Sequence, residues 1–192
     1  MPHRPLPAAL VWTALCSGVP GPAHAQLGPE ALIGTWTTPL AEQSAGGMSA
    51  YVRERLVFEP GRNTIRIEAF ADARGEIPLF VYASHGPYEV AGESDAVPGA
   101  YLLDARNEAS TVTILTDAPD LWPVLNLGGC DLRVGVPIDI AGCVSGPPFN
   151  AADCTERDLV RIDGDTLRLG ARATDRCSVR PATLGETRYQ RE

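Results

Sequence analysis

The sequence predicts an all-β protein, either a barrel or a sandwich, and two observations carry this prediction. Roughly eight to ten short segments alternate apolar and polar residues at the two-residue period of a strand, and turn residues such as Pro60-Gly61 separate them. Helical periodicity is confined to one weak segment, so strands do not alternate with helices as they do in a parallel sheet. The chain of 192 residues is long enough for one domain with one hydrophobic core.

The clearest predicted element is a β-hairpin over residues 158–170. Asp163-Gly164 lies between its two arms and is a typical turn dipeptide. The apolar residues of both arms fall on one face at period two, and they are Val160, Ile162, Leu167 and Leu169. This face is therefore expected to lie in the core.

Two pairing registers keep the apolar face of this hairpin intact. A two-residue turn at Asp163-Gly164 pairs Arg161 with Thr166, whereas a turn at Gly164-Asp165 places Arg161 directly opposite Arg168. Because like charges directly opposite each other are unfavourable, we predict the first register.

The other predicted strands follow the same alternation. They lie, in chain order, at 32–36, 51–59, 64–70, 79–90, 101–105, 111–115 and 186–190. The polar segment 37–48 is predicted to be a loop, and so is 146–150. In the strand at 79–90, Phe80 and Tyr82 share one face, and the pattern leaves open whether that face is interior.

One segment predicts a short or broken helix. Asp117 is the expected N-cap of a turn over 118–127, and Gly128-Gly129 is expected to end it. Pro123 lies inside the segment and limits its length. The following segment, 132–140, is extended and interrupted by proline, which favours a strand at the edge of a sheet.

The beginning of the chain has the parts of a secretory signal peptide. A basic start precedes an apolar run at 6–19, and the small-x-small tripeptide Ala23-His24-Ala25 follows it. We therefore expect residues 1–25 to be removed by cleavage before Gln26. The expected mature protein is a single domain at 26–192, secreted or periplasmic, without a membrane span, because the apolar run is too short to cross a bilayer.

Charge and cysteine content narrow the classes of partner. A formal net charge of −8 argues against nucleic acid and anionic membrane surfaces as partners. One of the five cysteines lies in the predicted signal peptide, and no two of the others have the C-x-x-C spacing of a metal site. The remaining cysteines therefore predict two disulfides, and three connectivities are open. We predict the nearest-neighbour pairing, Cys130–Cys143 and Cys154–Cys177.

The sequence shows no pattern typical of catalysis or of a cofactor. His85 is the only histidine after the predicted cleavage site, and no G-x-S-x-G segment accompanies it. There is no phosphate loop and no dinucleotide-binding pattern. We therefore expect no enzymatic activity, no catalytic residue, no bound metal and no cofactor, with His85 in a structural or solvent-edge position.

Aromatic side chains are the remaining candidates for a binding site. They are either core residues or the lining of a barrel interior that is open to an apolar ligand. On the second interpretation the predicted ligand-binding residues are Trp36, Phe58, Phe80, Tyr82 and Tyr88.

Four blocks of sequence together resemble the adenomatosis polyposis coli down-regulated domain family, which includes animal inhibitors of Wnt signalling and exported bacterial proteins. The first block is Leu32-Ile-Gly-Thr-Trp36 and the second begins with Arg55-Leu-Val-Phe-Glu59. The third contains Val134-Gly-Val-Pro137 between two cysteines, and the fourth is the predicted hairpin at 158–170 between two more. The resemblance covers residues 32–184.

The resemblance implies a lipocalin-like antiparallel β-barrel or half-barrel with one short helix and an apolar pocket. In the animal members this pocket is associated with the lipid of acylated Wnt. The implied partner of this chain is an acyl chain, another apolar small molecule or a lipidated protein. We therefore expect an exported binding module for an apolar ligand. The alternative is a structural or interaction protein of the cell envelope with a filled barrel and no small ligand.

Overall fold

The computed structural model describes residues 29–45, 48–144, 154–171 and 176–192. The predicted signal peptide, its cleavage site and the predicted loop at 146–150 lie outside these residues. The described chain begins with a 3₁₀ turn at Pro29–Ala31, and its helix α1 is Leu121–Val124. Its strands are β1 (Gly34–Thr37), β2 (Ala41–Ala45), β3 (Met48–Glu59), β4 (Arg62–Phe70), β5 (Pro78–Glu93), β6 (Tyr101–Arg106), β7 (Ala109–Ile114), β8 (Pro137–Asp139), β9 (Thr155–Asp163), β10 (Thr166–Leu169) and β11 (Tyr189–Arg191).

Eight of the described strands form a closed antiparallel barrel. The order around the ring is β1-β3-β4-β5-β6-β9-β10-β11, and β11 pairs again with β1. The barrel predicted by the resemblance is thus confirmed, and the sandwich that the residues alone left open is not formed. The strands β2, β7 and β8 lie outside the ring: β2 pairs with the overhanging part of β3, β7 pairs with the overhanging part of β5, and β8 pairs with β7.

The long strand β5 divides the molecule into a barrel and a flanking sheet. Its first half pairs with β4 and β7, and its second half pairs with β6. Because β6 and β7 follow one another along the same edge of β5, a short connection at 107–108 must pass close to β5. Gly86 permits this approach, since a Cβ at that position would lie 1.7 Å from the carbonyl oxygen of Arg106.

The hairpin formed by β9 and β10 keeps the predicted apolar face but not the predicted register. Arg161 lies directly opposite Arg168, and the turn residues are Gly164-Asp165, with Gly164 at φ 61°. A positive φ at the first central position is the requirement of a type II′ turn, which glycine meets without strain. The opposition of two arginines is tolerated because Arg161 binds Asp163 and Arg168 binds the carbonyl of Gly185.

Three further segments differ from the sequence prediction or refine it. The segment 37–48, predicted to be a loop, contains β2, which pairs with β3. The helix spans only four residues, and its N-cap is Asp120 rather than Asp117. Pro123 inside the segment accounts for this short length. The expected edge strand is confirmed as β8, which pairs with β7 alone among the described strands.

The buried apolar residues form two clusters. The first, here named the barrel core, fills the inside of the ring with Leu32, Trp36, Leu56, Phe58, Tyr101, Leu103, Val160, Leu167 and Tyr189. The second, here named the flank core, lies between the flanking sheet and the segment around α1, with Val52, Ala69, Phe80, Tyr82, Val112, Ile114, Leu121, Trp122, Leu125, Leu127 and Ile140. Ile65 packs against both clusters and joins them.

Both predicted disulfides are confirmed. Cys130–Cys143 closes a loop of 13 residues in the segment that covers the flank core, and Cys154–Cys177 links the two ends of the hairpin region. Disulfides are typical of proteins in oxidising compartments. Among the described residues, no helix combines the length and the apolar character that crossing a membrane requires.

Candidate functional site

The five aromatic residues predicted to bind a ligand fall into two groups. Trp36, Phe58 and Tyr88 belong to or pack against the barrel core, whereas Phe80 and Tyr82 belong to the flank core. The sequence left open whether the face of β5 that carries Phe80 and Tyr82 is interior. Both side chains are buried in the flank core, so this face is interior. The two groups lie in separate clusters, so the five side chains do not line one common pocket.

Edge-to-face contacts hold both aromatic groups in place. Phe58 and Tyr88 have ring centroids 5.1 Å apart, and Phe80 and Trp122 have centroids 6.4 Å apart, each at an interplanar angle of 80°. This is the arrangement that aromatic quadrupoles favour. These rings therefore act as packing residues of their own cluster in this conformation.

Trp36 belongs to the barrel core. It is fully buried, and its indole Nε1 donates a hydrogen bond of 2.8 Å to the carbonyl oxygen of Leu32. The guanidinium of Arg191 lies 4.1 Å from the ring centroid and donates to the carbonyl oxygens of Ala31 and Ile33. Trp36 thus contacts both the segment before β1 and Arg191 of β11. Together with its buried neighbours it fills this part of the barrel interior.

The end of the barrel next to the flanking sheet forms an open mouth. An open depression of about 580 Å³ lies there, and the surface exposed within it is mainly apolar. Thr38, Pro39, Ala41, Gln43 and Val52 form one wall. Residues 186–188 and Gln190 form the other. The volume falls within the range of ordinary ligand sites.

The segment 186–188 crosses this mouth as a bulged strap. Tyr189 pairs with Leu167, while Gly185 N–H donates to the carbonyl of Leu169, so the three residues of the strap lie opposite Arg168 alone. A second depression of about 380 Å³ lies on the other side of the strap. Bulges of this kind occur at barrel rims and beside functional sites.

A layer of inward-facing polar side chains separates the mouth from the barrel core. Glu54 on β3 is 2% exposed, and its carboxylate accepts a hydrogen bond of 2.6 Å from the hydroxyl of Tyr189. Gln43 Nε2 donates to the same carboxylate at 3.4 Å, and Glu54 N–H donates to Thr38 Oγ1 at 2.9 Å. Sequence reasoning missed Glu54, although a charged residue at an inward position between Val52 and Leu56 was the visible signal.

Asp158 and Glu156 continue this polar layer on β9. Burial raises the pKa of Asp158 above its ordinary value, and this effect outweighs the opposing influence of Arg176 at 3.4 Å. The Asp158 carboxylate also accepts hydrogen bonds from the backbone N–H groups of Leu159 and Gly170. Glu156 binds Arg176 at 3.0 Å. Sequence reasoning placed Asp158 in the predicted hairpin without giving it a role, and it did not single out Glu156.

The carboxylate of Glu54 accepts hydrogen bonds from Tyr189 and Gln43, and those of Asp158 and Glu156 bind Arg176. His85 lies on the exposed face of β5, away from the polar layer. Within the described residues, no group of three or more histidine, cysteine, aspartate or glutamate side chains is placed to hold a metal ion. The mouth presents both apolar surface and polar side chains.

A comparison of the sequence with known proteins matches no family model and no curated protein.

Proposed function

We propose that this protein is an exported β-barrel binding module that holds an acyl chain or another apolar ligand at the mouth of its barrel. The observation that supports this most is the open depression at the barrel mouth, where Pro39, Ala41 and Val52 present mainly apolar surface. The resemblance to the Wnt-inhibitor domain family points to the same class of ligand. Export and membership in that family are part of the proposal, and two disulfides are consistent with export.

The expected affinity follows from the area that a chain would bury. About ten buried methylene groups contribute about 8 kcal/mol, at about 0.8 kcal/mol each, which corresponds to a dissociation constant near micromolar before ordering costs are subtracted. Because the barrel core is filled, the chain must lie across the mouth instead of entering the barrel. Affinity should therefore rise with chain length until the depression is filled and then level off.

A displacement titration with fatty acids and acyl esters of increasing length tests this function. Ala41→Asp places a charge in the depression at an exposed position and should weaken binding at least tenfold without unfolding the protein. Ala91→Asp introduces the same charge at an exposed position of β5 outside the depression and is the matched control. Equal affinities of the two variants would reject this site.

A second candidate function is favoured by the packing of the barrel core. Trp36, Leu32, Val160 and Leu167 are all 0% exposed, which is the state expected of a filled barrel that serves as a scaffold. On this proposal the protein is a structural or interaction protein of the cell envelope, and a protein partner binds its rim. If no acyl compound binds at any length, the second function replaces the first.

A further inference from the structure

The outer face of the barrel wall holds two arginines directly opposite each other. Arg55 on β3 pairs with Arg66 on β4 in the antiparallel register, and both side chains are about half exposed. Like charges at directly opposed positions destabilise a sheet unless counter-charges neutralise them.

The hairpin of β9 and β10 contains the same opposition and shows how the chain neutralises it. Arg161 donates through both Nε and NH2 to Asp163, at 3.1 and 3.0 Å. Arg168 donates through both Nε and NH2 to the Gly185 carbonyl, at 3.1 and 2.8 Å. Each guanidinium thus uses its fork on one acceptor of the protein itself.

The forks of Arg55 and Arg66 are not used in this way. Arg55 contacts Glu192 through NH2 alone, at 3.1 Å, and Arg66 contacts Glu68 through Nε alone, at 3.1 Å. Among the described residues, no other side chain accepts a hydrogen bond from either arginine. Because an arginine carries five N–H donors, each guanidinium keeps donors that face solvent.

Glu68 is shared between Arg66 and a third arginine, Arg53, so its single negative charge does not neutralise Arg66 alone. Arg53 donates to Glu68 Oε2 through Nε and NH2, at 3.0 and 2.6 Å, and Arg66 takes Oε1. Partial burial acts to raise the pKa of Glu68, but the hydrogen bonds from Arg53 and Arg66 outweigh it and hold the pKa below its ordinary value. Glu68 therefore stays ionised, and both of its carboxylate oxygens accept hydrogen bonds from arginines.

These side chains line a depression of about 420 Å³ on the outer wall. Its charged lining residues are Arg53, Arg55, Arg66, Glu68 and Glu192, so three of its charged side chains are cationic and two are anionic. The whole chain carries a net charge of −8, which makes a locally cationic hollow a distinct feature of its surface.

We propose that Arg55 and Arg66 bind an oxyanion in this depression, either inorganic phosphate or the phosphate of a monoester. A tetrahedral dianion has enough oxygens to accept from both forks at once, and planar guanidiniums suit such acceptors. The anion adds counter-charge to that of Glu192 and Glu68, each of which contacts one of the opposed arginines through a single nitrogen. Arg53 acts as a positioning residue, because its bidentate contact holds Glu68 in place beside Arg66.

The phosphate has two chemical sources, a free anion and the head of an amphiphile. Thr38 lines both this depression and the apolar depression at the barrel mouth, so the two hollows adjoin at that residue. An amphiphile could therefore reach both with its head and its chain. The proposed oxyanion site does not require a ligand at the barrel mouth and does not depend on the proposed function.

Titration with inorganic phosphate, followed by NMR of the arginine Nε–Hε groups, tests the site. Saturable shifts are expected at Arg55 and Arg66 and none at Arg161 or Arg168. Arg55→Gln and Arg66→Gln should each weaken phosphate binding about tenfold, as expected for loss of a hydrogen bond between charged groups. Arg161→Gln is the matched control and should leave it unchanged.

Glu192→Gln should change phosphate affinity in the opposite direction from the arginine variants. It removes the carboxylate that competes for Arg55, so phosphate binding should become severalfold stronger, an effect that a merely structural role of Glu192 would not produce. Repeating the titration with octyl phosphate identifies the source: equal affinity assigns a free anion, and at least tenfold tighter binding assigns an amphiphile head. Absence of saturable shifts with both ligands, or unchanged affinity in both arginine variants, overturns the proposal.

Discussion

Removing the hydroxyl of Tyr189 isolates the contribution of the buried Glu54 contact. Tyr189→Phe keeps the ring in the barrel core but deletes the donor that lies 2.6 Å from the Glu54 carboxylate. Both residues are 2% exposed, so water cannot take the place of the lost donor without entering the core. A hydrogen bond to a buried charged group contributes about 1.5–3 kcal/mol, and we expect the free energy of unfolding to fall by about 2 kcal/mol.

The measurement is urea unfolding of the oxidised protein, followed by circular dichroism. For a domain of this size the same loss lowers the melting temperature by about 4–8 °C. Tyr51→Phe is the matched control, because Tyr51 lies on the opposite face of β3 from Glu54, and its free energy of unfolding should change by less than about 0.5 kcal/mol. The double variant with Glu54→Gln measures the coupling of the two residues. If Tyr189→Phe is as stable as the parent protein, the contact does not stabilise the fold.

Three more predictions concern the disulfide, the buried acid and the histidine. Replacing Cys154 and Cys177 by serine should lower the free energy of unfolding by about 3 kcal/mol in urea, because the unfolded chain regains the freedom of a loop of 23 residues; an unchanged midpoint would contradict this. The folded-state pKa of Asp158 is raised by burial, so its contribution to stability is full below the unfolded pKa and is lost as the pH rises through the folded value. Asp158→Asn should flatten this decline when unfolding is measured as a function of pH, and an unchanged profile would show that Asp158 is not its source. His85→Ala should leave ligand binding and any measured activity within a few-fold, whereas a loss of several orders of magnitude in a folded variant would indicate catalysis.

Local pattern was sufficient for much of the secondary structure. Strands β3, β4, β5, β6, β7 and β9 lie where alternation predicted them, within a few residues at their ends. The exception was β2, whose sequence Ala41–Ala45 is polar and small. This strand is held by pairing with β3 and has no apolar face of its own. Whether this segment forms a strand therefore depends on its pairing partner, which the alternation within the segment does not reveal.

The hairpin register shows how a correct rule led to a wrong prediction. Directly opposed arginines are unfavourable when no other group neutralises their charges. The rule failed because Asp163 and the Gly185 carbonyl bind the two guanidiniums, and Gly185 is distant in sequence. Turn geometry also favours this register, since it places Gly164 where a positive φ is needed.

The candidate site was less predictable than the fold. Aromatic character identified residues of the interior, but Phe80 and Tyr82 belong to one cluster and Trp36 to the other. Aspartate substitutions at Phe80 and Tyr82 would therefore disrupt the flank core, so they cannot probe a ligand site. Glu54 and the strap at 186–188 belong to the mouth because of strand pairings between distant segments, which alternation alone does not specify.

The sequence by itself determined the all-β class and the apolar faces of most strands, and it favoured the nearest-neighbour pairing of the cysteines without excluding the other two connectivities. These properties follow from side-chain alternation at period two and from short loops between neighbouring cysteines, both of which are local. Only the tertiary structure decided that β11 closes on β1, that β5 changes partners midway, and that Arg55 lies opposite Arg66. The physical reason is that strand pairing is non-local: the hydrogen bonds that set the ring and its registers join residues far apart in the chain, and their energies depend on neighbours that no single segment contains.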